Sequence, residues 1–356
     1  MAILQHQTQN NHFQIFRLPQ SKYVDAVRWM PPFSAFDKFV VLSFFDSDSS
    51  SCTIEIHSLD NSPNIQPILS PLSSFATTSR TSSLKTSQDL IAFSTFSGSL
   101  NFISPDYRSG DVSLNSSISV QELGFHVGSI SCIDVLGSEC VSVGEDGRVN
   151  VVNFGGSKVD YRRLFDGNGL VSYTAAKWAS PTEFATGGLG FSLQWWDQRR
   201  KPGEPALQFK GNWPQKCTSG LVHSIDIHPS RKHTCLAGGS SGTVFAWDLR
   251  WPQQPIVLSG IGSDEGQAHL ISESEVWEVQ FDSHSQSNIT TMPSSKLLPV
   301  MMCSEDGILS VIEQGAEPME LLAEPCAINS FDIGKQNHSD IICSLEWESL
   351  AMLSRS

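Results

Sequence analysis

The chain has 356 residues, a formal net charge of −14 and a sequence pI of about 5.1. Affinity for free nucleic acid comes largely from Lys and Arg side chains that neutralise phosphates, so this acidic balance argues against nucleic acid as a direct partner. The first ten residues lack a basic start followed by an apolar segment, and no apolar run approaches the ~20 residues that a membrane helix needs. We therefore expect an intracellular protein without membrane insertion.

The first half of the chain alternates short apolar runs with turn residues. Residues 13–18 predict a lone strand that precedes the first full group of strands. Three groups of short strands follow, at 24–70, 78–120 and 125–166. The second group is the least regular, because residues 70–88 are rich in Ser and Thr and show little periodicity.

The second half predicts four more groups, at 173–210, 221–259, 275–323 and 327–354. The group at 221–259 is the clearest. Pro229 ends its first run, and a Gly-rich turn at 238–242 leads into a run that is apolar on both faces. A sheet packed between two neighbouring sheets requires such a run. The last group lacks one strand and strand 13–18 is surplus, so we expect the two to pair and close a ring.

One pattern recurs among these groups. Trp196-Asp197 closes an apolar run, and Trp247-Asp248 closes the equivalent run 51 residues later. Weaker copies place an Asp-Gly pair, which suits a two-residue hairpin, at Asp146 and Asp306. The Gly-rich hairpin, the Trp-Asp pair and the His-Pro turn at 228–230 resemble a WD40 repeat, which is one blade of a β-propeller. The resemblance implies an all-β fold, a single seven-bladed propeller over 1–356, in which these Trp and Asp residues are structural.

Motifs that could carry chemistry are better explained as turns. Gly238, Ser240 and Gly242 match the G-x-S-x-G pattern of serine hydrolases, but that pattern requires a helix after the turn, and an apolar strand follows here. The Gly-rich string at 187–190 lacks the last Gly of a dinucleotide-binding loop. The eight cysteines form no C-x-x-C pair, and we interpret the scattered histidines as hydrogen-bonding within blades. We expect no catalytic residue, no cofactor and no metal site.

Residues 196–199 (WDQR) and 247–250 (WDLR) support two interpretations. In the structural one, Trp packs between blades, Asp accepts hydrogen bonds from turn amides, and Arg reaches a neighbouring carboxylate or carbonyl. In the functional one, the strings resemble the docking box of substrate receptors of cullin-type ubiquitin ligases, with Arg199 and Arg250 as contact residues. The structural interpretation is the more common one among WD-repeat proteins, and the ligase receptor stays the alternative.

Trp277 and Glu275 are further candidates for partner contact. They follow an acidic connection at 261–274, and Trp is enriched at the hot spots of protein interfaces. Trp277 could equally belong to the core. A weaker alternative is a reader of histone tails that uses the central channel. That function requires an acidic or aromatic cage, which the sequence does not locate.

Three strings carry a more specific resemblance, IDIHP at 225–229, EVWEVQF at 275–281 and INSFDI at 328–333. In this order they resemble the family of the small WD-repeat nucleoporin forty-three, a subunit of the Y-shaped scaffold complex of the nuclear pore. The resemblance is strongest over 220–335. Ile312 departs from the pattern, because it stands where the sixth blade would carry its Trp.

The resemblance implies a non-enzymatic scaffold subunit at the nuclear envelope. Its expected partners are α-helical scaffold nucleoporins of the Y-shaped outer-ring subcomplex, and we expect a monomer when the protein is isolated. Such a subunit supports mRNA export and protein transport through pore assembly. The residues alone indicate an acidic, intracellular, seven-bladed platform for protein interaction.

Overall fold

The computed structural model describes residues 13–31, 38–60, 66–87, 90–108, 111–114, 117–122, 124–155, 159–190, 192–210, 220–242, 244–251, 256–257, 272, 274–284, 297–314 and 316–355. Within these ranges, thirty strands form seven four-stranded antiparallel sheets and one two-stranded hairpin. The sheets are the blades of a seven-bladed β-propeller, so the predicted all-β fold is confirmed.

The first three blades are built from strands in the first half of the chain. Blade 1 contains β2 (Tyr23–Trp29), β3 (Phe39–Asp46), β4 (Ser51–Asp60) and β5 (Ile68–Thr77). Blade 2 contains β6 (Thr81–Ser87), β7 (Leu90–Thr95), β8 (Leu100–Ile103) and β11 (Ser117–Val120), with the hairpin of β9 (Asp106–Arg108) and β10 (Asp111–Ser113) before its last strand. Blade 3 contains β12 (Ile130–Leu136), β13 (Glu139–Gly144), β14 (Arg148–Asn153) and β15 (Asp160–Asp166).

The other blades follow in the same order. Blade 4 contains β16 (Tyr173–Ser180), β17 (Glu183–Gly188), β18 (Ser192–Asp197) and β19 (Leu207–Lys210). Blade 5 contains β20 (Val222–Ile227), β21 (Thr234–Gly239), β22 (Val244–Asp248) and β23 (Ile256–Val257), with a 3₁₀ turn at Ser240–Gly242. Blade 6 contains β24 (Val276–Phe281), β25 (Val300–Ser304), β26 (Ile308–Ile312) and β27 (Met319–Ala323), and blade 7 contains β28 (Ile328–Ile333), β29 (Asp340–Leu345) and β30 (Ser349–Arg355).

The fourth strand of blade 7 comes from the other end of the chain. β1 (Phe13–Pro19) pairs antiparallel with β30, from Phe13 opposite Arg355 to Pro19 opposite Ser349. Leu18 is buried in the cluster between blades 7 and 1, and Phe16 packs against the same cluster. The pairing covers the edge of β30 that would otherwise be open.

The polar segment that showed little periodicity is regular structure. β5 extends to Thr77, beyond the end that the sequence predicted at residue 70, and β6 occupies Thr81–Ser87. β5 is the outermost strand of its blade and most of its residues are exposed or half-buried. A strand in this position needs no apolar alternation, which explains why periodicity missed it.

The glycines predicted to form a turn in blade 5 are partly strand. Gly238 and Gly239 end β21, and only Ser240–Gly242 turns. A Cβ on Gly238 would lie 2.6 Å from Cγ1 of Val279 in blade 6, and one on Gly187 would lie 2.6 Å from Cγ1 of Val222 in blade 5. Glycine is therefore required where the next blade packs directly on the second strand.

The apolar core of the described residues is divided into seven clusters, and each lies between two neighbouring blades. Phe184 and Trp196 fill the junction of blades 3 and 4, and Phe331 that of blades 6 and 7. Each sheet is therefore buried on both faces, which is why the inner strands are apolar on both sides. Stability of the ring depends on all seven junctions.

Candidate interaction surfaces

The first strand of every blade lines a central channel and presents one polar residue at an equivalent register position. In blade order these residues are Arg28, Lys85, Asp134, Lys177, Asp226, Gln280 and Asp332. All seven line a cavity of about 510 Å³. Four cations and four carboxylates line this cavity in total, so its charges balance.

Three of these residues are carboxylates that each bind the neighbouring blade. Asp134 accepts a hydrogen bond from the backbone N–H of Trp178 at 2.8 Å, and the Trp178 indole N–H donates to the Asp134 carbonyl at 3.1 Å. Asp332 and Trp29 repeat both bonds with the same distances across the junction of blades 7 and 1. Asp226 accepts from the N–H of Phe281 at 2.8 Å. A buried backbone N–H needs a hydrogen-bond acceptor. These carboxylates supply that acceptor and so hold the first strands of neighbouring blades together.

Arg28 spans the channel wall and has a partner for each of its nitrogens. It binds Glu278 through Nη1 and Nη2 at 3.2 and 2.8 Å, and it donates to the carbonyls of Leu84 and Phe331. Burial opposes its charge, but Glu278 and Asp332 outweigh burial and raise the pKa of Arg28 further. Arg28 and Glu278 line both the 510 Å³ cavity and a second one of about 380 Å³. The pair therefore lies where the two halves of the channel meet.

The 510 Å³ cavity does not match a reader of basic tails. Such a site needs an excess of carboxylates or an aromatic cage, whereas the larger cavity carries balanced charges. Trp29 and Trp178 donate their indole N–H groups to the neighbouring blade, so both are committed to blade junctions.

The two Trp-Asp-x-Arg strings adopt the same local structure. Asp197 accepts hydrogen bonds from Nε and Nη2 of Arg199, both at 2.8 Å, and Asp248 holds Arg250 in the same way. Each Asp also accepts the backbone N–H of its Arg at 3.0 Å. The Arg199 side chain, together with the turn amide, lowers the pKa of Asp197 to about 2, although burial acts in the opposite direction. Trp196 and Trp247 are buried.

Asp146 and Asp306 stabilise equivalent turns with different partners. Asp146 bonds to the ring Nδ1 of His126 at 3.1 Å and accepts the N–H of Val127 at 2.8 Å. Burial would raise the pKa of Asp146, but these hydrogen bonds outweigh it and lower the pKa. In blade 6, Ser272 donates to Asp306 at 2.9 Å and takes the place of the histidine. Each Asp ties its turn to the connection that precedes its own blade.

Among the described residues, no group of three or more His, Cys, Asp or Glu side chains could hold a metal ion. In the same part of the chain, no helix has the length and apolar character needed to cross a bilayer.

Comparison with known proteins identifies the family. The "Nuclear pore complex protein NUP43" of Arabidopsis thaliana is 57% identical over 358 aligned residues, which cover 96% of this chain and 98% of that protein. This chain belongs to the Nup43 family. Mouse and human proteins named "Nucleoporin Nup43" are each 30% identical over 176 and 173 residues, about 48% of this chain and 38% of theirs. No protein-family model matches the chain.

A solved structure shows the same fold without close sequence similarity. A chain of "COPII on membranes, outer coat vertex" superimposes with a TM-score of 0.69 over 95% of this Nup43-family chain and 85% of that chain, at 14% identity. At this identity the similarity supports the propeller fold alone.

The residues that the sequence singled out for partner contact lie in two separate places in this Nup43-family member. Arg199 and Arg250 are 66% and 67% exposed. Trp277 is half-buried, its ring lies 4.7 Å from that of His223, and His223 Nε2 lies 2.9 Å from Glu275. Burial lowers the pKa of His223, and Glu275 opposes this shift. Trp277 therefore serves a blade junction and also lines the 380 Å³ cavity.

Sequence analysis missed the carboxylates at the blade junctions. Asp134, Asp226 and Asp332 each follow an apolar residue in the first run of their group, in the strings CIDV, SIDI and SFDI. That repeat was visible in the sequence. Its partners were not, because Asp332 and Trp29 are separated by 303 positions.

Proposed function

We propose that the protein is a structural, non-enzymatic subunit of the nuclear pore complex, located at the nuclear envelope. The observation that carries this proposal is 57% identity along 96% of the chain to a protein named as a nuclear pore complex protein. In this role the propeller docks on an α-helical scaffold nucleoporin of the Y-shaped outer-ring subcomplex. It supports mRNA export and protein transport indirectly, through assembly of the pore.

The architecture suits such a role. Each apolar cluster is enclosed between two blades, so the ring is a rigid body whose loops are available to a partner. The chain carries a net charge of −14, so it would join the pore through protein contacts rather than through nucleic acid. We propose that it is a monomer in isolation.

A receptor of a cullin-type ubiquitin ligase is not favoured. The identity to a nuclear pore protein extends along nearly the whole chain, and both candidate docking arginines close ion pairs with the Asp of their own string. Arg199 and Arg250 remain candidates for contact through their exposed edges, as do Trp277 and Glu275 at the channel mouth.

The test is purification of the tagged full-length protein from cells, with quantitative mass spectrometry of what is retained. We expect scaffold nucleoporins at near-equal abundance with the tagged chain. A cullin adaptor at near-equal abundance, with nucleoporins at background, would overturn the proposal. An untagged parallel culture gives the background, and the double variant Arg199→Ala/Arg250→Ala shows whether the two boxes hold any recovered adaptor.

A further inference from the structure

One end of the propeller is formed by the turns between the second and third strands and by the connections between blades. Backbone bonds hold these two sets together, as in Gly190 N–H to Gly220 O at 2.8 Å and Gln20 N–H to Glu348 O at 2.7 Å. We call this end the turn face. The opposite end, which carries the other loops and the two Trp-Asp-x-Arg strings, is the loop face.

Large apolar side chains are concentrated on the turn face. Twelve are exposed among the described residues, and six of them belong to this face, Tyr23, Phe96, Val127, Leu170, Leu189 and Trp347. Four of the others lie on outermost strands, and Leu136 and Trp251 belong to the loop face. Leu170 is 89% exposed, the largest value of the twelve. A concentration of this kind marks an interaction surface rather than scattered surface residues.

Four of these residues follow one another around blades 2 to 4. Phe96 lies in the turn whose Gly98 would place a Cβ 2.5 Å from the Gly128 carbonyl, next to Val127. Gly147, in the next turn, would place a Cβ 2.5 Å from the Val171 carbonyl, next to Leu170. The N–H of Leu189 donates to Ser172 at 3.1 Å. We define the arc as Phe96, Val127, Leu170 and Leu189 together with Glu122 and Glu145.

Among the side chains that the structure describes, the unpaired charge of the turn face has one sign. Each Lys or Arg on this face whose side chain the structure describes forms an ion pair with a carboxylate, and these residues are Arg17, Lys22, Arg80, Arg148 and Arg163. Six exposed carboxylates on the same face form no ion pair with any described residue, and these are Asp48, Glu122, Glu145, Glu305, Asp306 and Glu346. The loop face carries unpaired charge of both signs, since Lys201 and Arg231 have no described carboxylate partner and Asp160 and Glu204 form no ion pair with a described cation. Surplus negative charge beside exposed apolar side chains complements a segment that is both basic and apolar.

We infer that the arc is the docking site for a basic amphipathic segment of the protein partner, with apolar side chains on Phe96, Leu170 and their neighbours and Lys or Arg opposite Glu122 and Glu145. Phe96 and Glu145 also line the 380 Å³ cavity at the channel mouth, which gives a bulky apolar side chain a place to enter. A helix with one apolar face and a basic flank has this chemistry. The inference rests on the proposed function and adds the face and the chemistry of the contact.

Matched pairs of exposed residues test the inference. Leu170→Ser and Glu145→Lys alter the arc, whereas Leu207→Ser on an outermost strand and Glu204→Lys on the loop face make the same chemical changes elsewhere. All four residues are exposed, so we expect melting temperatures near that of the unaltered protein. In the tagged purification, each arc variant should retain scaffold nucleoporins at least tenfold less than the unaltered chain, and each control within twofold of it.

The outcomes separate the two proposals. If the unaltered chain retains no nucleoporins, the proposed function fails. If it retains them and the arc variants do so equally, only the docking inference is overturned. Should Glu145→Lys melt early, Glu122→Lys replaces it, since Glu122 lies in an exposed connection.

A photo-crosslinking residue at position 170, with position 207 as its control, tests the chemistry of the contact. The inference predicts that position 170 reacts with a Lys/Arg-rich segment of a retained nucleoporin. Reaction with an acidic segment, with a second copy of this chain, or equally at position 207 would overturn it.

Discussion

Two sets of aspartates in this propeller look alike in the sequence and differ in what they hold. Asp197 and Asp248, the motif carboxylates, bind an arginine two positions away in the same loop. Asp134 and Asp332, two of the junction carboxylates, are 7% and 8% exposed and bind a backbone N–H in the next blade. The third junction carboxylate, Asp226, does the same for blade 6.

The difference shows that the conspicuous motif is not where the blades are coupled. A motif carboxylate stabilises a turn that its own chain segment already forms, and exposed ion pairs contribute little. Loss of a junction carboxylate leaves a buried N–H without an acceptor and removes a link between two sheets. Substitutions at the two sets should therefore have very different effects on the free energy of unfolding.

The junction of blades 7 and 1 gives the largest expected effect, because β1 and Asp332 act on it together. Deletion of residues 1–19 removes the partner of β30 and the buried Leu18 along with three half-buried apolar side chains. At about 1.5–3 kcal/mol for each fully buried side chain, we expect a loss of roughly 5 kcal/mol in urea unfolding. The exposed edge of β30 should also cause aggregation, measured by light scattering.

Deletion of residues 1–12 is the matched control, because it leaves β1 intact. Unchanged melting temperature and solubility after the longer deletion would show that β1 is not needed to close the ring.

A buried ion pair between blades 1 and 6, which are not neighbours, sharpens the comparison. Arg28→Met leaves the Glu278 carboxylate buried without its cation, so we expect a loss of about 3–5 kcal/mol in the free energy of unfolding. The double variant R28M/E278Q removes that charge while Gln can still accept the Phe331 N–H. It should be more stable than R28M alone. A double variant that is equally unstable would mean that the lost Arg28 bonds to backbone carbonyls dominate.

Removal of a junction carboxylate is the direct test. Asp134→Ala and Asp332→Ala should each lower the free energy of unfolding by about 2–4 kcal/mol, because each leaves a buried N–H unpaired. Asp332→Asn keeps an acceptor oxygen and should lose less. Asp197→Ala serves as the motif control, measured by the same urea titration. Equal losses at Asp134 and Asp197 would remove the distinction between the two sets.

Acid should change the contributions of the two sets to stability in opposite directions. Burial raises the pKa of Asp332 above 3.8. The contribution of this shift to the free energy of unfolding is therefore complete below pH 3.8 and is lost as pH rises through the raised pKa. Arg199 lowers the pKa of Asp197 to about 2, so its contribution is present above pH 3.8 and is lost as pH falls towards 2. Asp332→Asn should therefore steepen the loss of melting temperature between pH 6 and pH 3, and Asp197→Asn should flatten it. Parallel curves for both variants would contradict this assignment.

The smallest effect is expected at the exposed ends of the motif. Arg199→Ala and Arg250→Ala remove side chains that are two-thirds exposed, and we expect each to cause only a small drop in melting temperature by calorimetry. A drop as large as that of Asp134→Ala would mean that the motif ion pairs couple the ring after all.

Local patterns in the sequence determined the repeat and most strands of this protein. Period-two alternation, Asp-Gly turns and Trp-Asp ends depend on residues a few positions apart, and they predicted seven groups of strands and the WD-type turns at Asp146 and Asp306. The turn at Ser240–Gly242 is shorter than predicted, because Gly238 continues the strand where Val279 of the next blade approaches.

Only the tertiary structure decided which polar residues couple the blades and which exposed side chains lie together on the face that we propose for the partner. Asp134 and Trp178 are 44 positions apart, and Asp332 and Trp29 are 303 apart, so no local pattern could pair them. The same holds for the arc, because Phe96, Val127, Leu170 and Leu189 come from different turns and connections and become neighbours when the ring closes. Periodicity reports whether a residue faces a core or solvent, whereas contact across blades depends on the closed ring as a whole.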